Sequence, residues 1–198
     1  MTVKEKERDS LKMFKKKISE QEKEAARKKM QEVFGECREV TDKPLRPFML
    51  KWLSAFAPDM EYYDAKAFCL PRRMYQNNLW HAFSYQKTDC YMGALAEEAF
   101  SDGFSGMCYL FLNREMLLFQ IPEGRVLNPE TVSAFDSIIV TDGAFSCTYV
   151  HTGKEVTGPY FKTADGLSDA FVAAGEDEPE PEAEGFVPSV EEDLPPVL

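Results

Sequence analysis

The spacing of apolar residues divides the chain into a helical first part and a strand-rich second part. Between residues 10 and 34, Leu11, Phe14 and Ile18 share a face, and Ala25, Met30, Val33 and Phe34 extend it loosely. That period predicts one amphipathic helix, capped by Asp9 or Ser10 and followed by Gly35. "KPLRPFMLKWLSAF" reads as a second helix, opened by Pro47 and closed by Pro58, carrying Phe48, Leu50, Trp52, Leu53 and Phe56. "DMEYYDAKAFCL" reads as a further short helix, ended by Pro71.

From residue 79 the period shortens. "LWHAFSY" is aromatic with polar flanks and predicts a strand covered on both sides. Leu79, His81, Phe83 and Tyr85 would share one face, and Trp80, Ala82 and Ser84 the other. "MGALAEEAFSDG" predicts a helix with Leu95, Ala96 and Phe100 inward. "MCYLFLN" and "EMLLFQI" flank Asn113-Arg114 and predict a hairpin. "NPETVSAF" carries Asn128 as cap and Pro129 at the first helical position. "DSIIVTD", "FSCTYVHT" and "GPYFKT" predict three more strands, with a turn at Asp142-Gly143. Helices followed by antiparallel strands describe an α+β domain rather than a wound βαβ sheet. After about Gly175 the chain is rich in Glu and Pro and predicts a disordered acidic tail. The expected organisation is a charged helix over 1–35, an α+β domain over 36–174 and a tail over 175–198.

Charge sharpens this picture. The formal net charge is -11. The first 30 residues hold about eleven bases against about six acids, including Lys15, Lys16 and Lys17, while the tail holds about nine acids and no base. The middle is therefore acidic by roughly seven charges, which argues against a nucleic-acid groove in the core and favours a basic protein as partner. The five cysteines are scattered and show no C-x-x-C spacing, so reduced thiols in a cytosolic protein are expected. No run of about 18 apolar residues predicts a membrane span, and the charged N-terminus does not read as a secretory signal.

Motifs of the common enzyme classes are absent from the sequence: no G-x-S-x-G, P-loop, H-E-x-x-H or G-x-G-x-x-G. Three constellations remain. His81 and His151, with Glu155 or Asp89, could converge on a metal only if their strands neighbour. Cys90 or Cys147 could act as a nucleophile with a histidine, although Cys147 and His151 lie about 13 Å apart along one strand. "YVHTGKEVTGPYF" places Thr152, Lys154 and Glu155 at a hairpin tip, a natural contact site.

"NLWHAFSY", "ALAEEAF" and "FSCTYVHTGKEVTGPYF" together resemble a small bacterial domain family of unknown function. The resemblance covers about residues 47–163. It rests on Trp80, His81, Phe83, Ser84, Thr148, Tyr149, Val150, Thr152, Glu155, Gly158, Pro159 and Tyr160. Cys147 departs from an expected Trp, and Gly153-Lys154 stands where a His is expected before the Glu. Chemistry that needed that histidine would be lost here, and the resemblance brings no activity with it.

The expectation is a non-catalytic cytosolic acidic protein that recognises, and neutralises, another protein in the manner of an inhibitor or immunity protein. Its candidate binding residues are Trp80, His81, Tyr149, His151, Thr152, Lys154 and Glu155. The alternative is a small hydrolase or transferase using His81 with Cys90 or Glu155. Neither reading calls for a cofactor or a metal.

Overall fold

A computed structural model of the chain describes residues 19–41, 45–70, 77–153 and 158–164. Lys154, Glu155, the Lys15–Lys17 patch, the Pro71 helix stop and the acidic tail lie outside them. Seven antiparallel strands form one sheet in the order β1-β4-β3-β5-β6-β7-β2. They are β1 (Arg38–Glu39), β2 (Tyr91–Met92), β3 (Cys108–Leu112), β4 (Leu117–Ile121), β5 (Ile138–Asp142), β6 (Cys147–His151) and β7 (Tyr160–Thr163). The predicted β3–β4 hairpin forms around Asn113-Arg114, with Leu112 opposite Leu117. The α+β class stands.

Helices cover both faces of the sheet. On one face lie α2 (Leu45–Phe56), α3 (Tyr62–Phe68) and α4 (His81–Ser84). They bury Trp52, Leu53, Phe56 and Phe83 against Phe111, Ile139, Val150 and Tyr160. On the other face lie α1 (Glu20–Phe34), α5 (Ala94–Gly103) and α6 (Pro129–Ser133). They bury Met30, Phe100 and Val132 against Leu110, Phe119, Val140 and Tyr149. Burial on both faces explains why the central strands read as almost unbroken apolar runs rather than as an alternation.

The helix caps follow from local chemistry. Ser19 and Glu22 close a capping box at the start of α1, with Ser19 N–H donating to Glu22 Oε2 at 2.8 Å. The helix that ends at Gly35 therefore starts at Glu20, not at residue 10. Asn128 caps α6 as expected, accepting from Thr131 N–H at 2.9 Å.

One element differs in kind. "LWHAFSY" is not a strand: His81–Ser84 is a short helical turn. Ala82 and Phe83 are buried within the turn, and Leu79 and Trp80 just before it, a set that does not alternate as a strand covered on one face would. The turn is secured by tertiary contact, because Leu79 N–H donates at 2.8 Å to the side chain of Asn113 on the hairpin.

Candidate functional site

His81 sits in an aromatic ladder at the edge of the first layer. Its ring lies 4.3 Å from Trp80 and 4.8 Å from Tyr85, and Tyr85 lies 5.3 Å from Phe68. Lys87 closes the row, 5.4 Å from the Phe68 ring and 2.6 Å from Asp64. A chain of amides sets the imidazole tautomer. A backbone N–H can only donate, so the Leu79 contact makes Oδ1 of Asn113 the acceptor. Nδ2 of Asn113 then donates to the Asn77 carbonyl at 3.1 Å and to Asn78 Oδ1 at 3.3 Å. Asn78 consequently turns its Nδ2 toward His81 Nε2, at 3.5 Å, the long end of a hydrogen bond. With Nε2 facing that amide, a neutral ring would carry its proton on Nδ1 and donate it to Ser84 Oγ, 3.0 Å away. In this arrangement Ser84 is an acceptor, not a hydroxyl being deprotonated.

The other candidates are dispersed. His81 belongs to a helix on one face of the sheet, whereas His151 falls on the opposite side with Cys147 and Tyr149, near Glu97 and Asp136. The sheet separates the two imidazoles, and among the described residues no group of three or more His, Cys, Asp or Glu could hold a metal. Burial lowers the His151 pKa below its ordinary value, with Glu97 and Asp136 opposing the shift. Cys90 is half-buried, and burial pushes its thiol up to about 11, so it is protonated near neutrality and a poor nucleophile. Cys147 is buried and pushed up to about 12 for the same reason.

Three residues expected to contact a partner are instead part of the interior. Trp80 is 8% exposed, Tyr149 1% and Thr152 6%. Tyr149 stacks on Phe100 of α5 with centroids 3.9 Å apart. They hold the scaffold rather than face solvent.

The surface that stands out was not legible in the sequence. The two edges of the sheet differ. At one, β1 is charged, and Glu39 is clamped by Arg27 of α1 through contacts of 2.7 and 3.2 Å. Such an edge is blunted against strand pairing. At the other, β2 is the apolar pair Tyr91-Met92, bonded among the described residues only to β7. Tyr91 is 56% exposed, Met92 52% and Leu95 60%. Leu95, expected to face inward, is the most exposed of the three. Asp89, Glu97 and Glu98 around them are exposed acids. Lys162 of β7, the base beside them, is tied to the Asp89 carbonyl at 2.9 Å. Apolar anchors within an acidic rim resemble the anatomy of a binding hot spot.

Residues 38–161 match the model of a family described as a domain of unknown function, DUF4275. The chain belongs to that family. The match spans β1 to the start of β7 and so takes in every strand of the sheet, while α1 precedes it. It agrees with the resemblance read from the sequence in class and nearly in extent. No curated protein and no solved structure matches the chain. In this DUF4275 domain both the aromatic ladder and the apolar edge lie within the family's own span. No helix among the described residues is long and apolar enough to cross a membrane.

Proposed function

We propose that this DUF4275 protein is a non-catalytic, cytosolic binding protein that recognises a basic protein and blocks it, as an inhibitor or immunity protein would. The observation that carries the reading is the β2–α5 edge. Three large apolar side chains stand more than half exposed within five residues, in surroundings that carry Asp89, Glu97 and Glu98. Apolar anchors supply affinity by desolvation, and the acid rim speeds encounter and selects for positive charge. The acidic middle of the chain disfavours nucleic acid at the same surface.

The test is capture from the native host at several salt concentrations, using wild type and Leu95→Glu. A specific basic protein should be retained at low salt by wild type, released as salt rises, and lost with the variant at unchanged thermal stability. Equal capture by both proteins, or no specific partner at low salt, would sink the reading.

The alternative, a small hydrolase or transferase using His81, is supported by the 3.0 Å approach of Nδ1 to Ser84 Oγ. The tautomer set by Asn113 and Asn78 points that proton the wrong way for activating the hydroxyl. Turnover of model esters that disappears in both His81→Ala and Ser84→Ala would restore it.

A further inference from the structure

The register of β2 shows which of its backbone groups are committed. Tyr91 pairs with Phe161 and Met92 with Tyr160. One step on, Gly93 N–H donates to the Pro159 carbonyl at 3.0 Å. In an antiparallel pair, hydrogen-bonded and non-bonded partners alternate. Gly93–Pro159 is a bonded position, so Met92–Tyr160 is non-bonded and Tyr91–Phe161 bonded. The N–H and C=O of Met92 therefore point away from β7, toward the open edge.

We infer that the edge accepts its partner by strand addition: an extended segment with basic flanks lies along β2 and pairs with the Met92 backbone. This deepens the binding reading above and rests on it. The edge is only two residues long and Gly93, at φ 58°, bends the chain away after it. Main-chain pairing is thus limited to about two hydrogen bonds, and selectivity must come from side chains. Tyr91 and Met92 point to opposite faces of the strand, so an incoming segment meets an apolar group on either side. Tyr91 shares its face with α5, since its ring packs 6.4 Å from Phe161. Charge selects the occupant. Residues 88–98, "TDCYMGALAEE", contain three acids and no base. A second copy would set like charge against like, whereas Lys or Arg beside an extended core would meet opposite charge.

The test uses the full chain and a synthetic probe, the end-blocked octapeptide Lys-Lys-Val-Thr-Val-Thr-Lys-Lys, followed by NMR titration at low salt. The Met92 amide should become protected from hydrogen exchange as the probe binds. Met92→Pro removes the outward N–H without touching any bond to β7, a substitution that edge strands tolerate. Met92→Ala removes the same side chain but keeps the N–H. The proline variant should bind about three- to tenfold more weakly than the alanine variant, the worth of one net hydrogen bond. Equal binding by the two, or binding without protection at Met92, overturns strand addition. If Leu95→Glu still weakens the probe in that case, the docking surface survives and only its mode is wrong. No binding at millimolar probe, or protection that grows with protein concentration alone, also overturns the proposal, the latter by naming a second copy as occupant.

Discussion

Thr148→Val tests whether a buried polar relay holds the first layer to the sheet. Thr148 Oγ1 accepts from Trp52 Nε1 at 2.9 Å, lies 3.1 Å from Thr141 Oγ1 and donates to the Val140 carbonyl at 2.8 Å. Trp52, Thr141 and Thr148 are each 0% exposed, so no water replaces a lost partner. Valine keeps the shape and removes the oxygen. The indole N–H is orphaned, and Thr141 loses a neighbour it can replace only by rotating. An unsatisfied buried donor costs about 1–3 kcal/mol, so a total of about 2–4 kcal/mol is expected. Against a stability of about 5–15 kcal/mol this is a large loss. At this chain length about 1 kcal/mol moves the thermal midpoint by roughly 2–4 °C, so the midpoint should fall by roughly 5–15 °C. Urea denaturation of wild type, Thr148→Val, Trp52→Phe and the double variant completes the experiment. In the Trp52→Phe background there is no N–H to orphan, and Thr148→Val should cost at least about 1 kcal/mol less. A loss under about 0.5 kcal/mol, or the same loss in both backgrounds, would refute the relay.

Two further expectations follow from named groups. Asn113→Ala strands the Leu79 N–H and should cost about 2–3 kcal/mol. It should also release Asn78, so the ¹⁵N signature of the Nδ1–H tautomer of His81 weakens; an unchanged imidazole spectrum would contradict the amide chain. Stability should plateau between about pH 6.5 and 9 and fall on both sides. Below 6.5, the ordinary histidine value, the unfolded chain protonates His151 while burial keeps the folded ring neutral, so its contribution is lost as pH falls through the lowered folded value. Above 9.0, the ordinary thiol value, the unfolded chain ionises Cys69, Cys108 and Cys147, which burial holds protonated to about 12 when folded. Each contributes about 1.4 kcal/mol per pH unit to the alkaline slope. Denaturation curves across pH 5–11 check both limbs, and an acid limb unchanged in His151→Gln would remove that histidine as its cause.

What the sequence determined by itself is the type and order of most elements. Apolar runs ended by Asn113-Arg114 and Asp142-Gly143 are strands because their turns are local, and Asn128-Pro129 starts a helix because a cap needs only its own next turn. The aromatic content of Trp80–Tyr85 favours a strand, and nothing in its spacing marks the helical turn that forms. What tertiary structure decided is which surfaces are covered. The Trp80–His81 turn is secured by Asn113 from 34 residues away, and that contact also sets the imidazole tautomer. Tyr149, a residue the sequence offers as a partner contact, is interior because Phe100 of α5 stacks on it from across the sheet face. Leu95 looked like core and became surface because β2, a two-residue strand with no local signature, ends the sheet beside it. Side-chain period is encoded within a few residues, whereas the identity of an edge depends on every strand pairing made elsewhere, so the exposed apolar side chains of the β2–α5 edge had no local pattern to announce them.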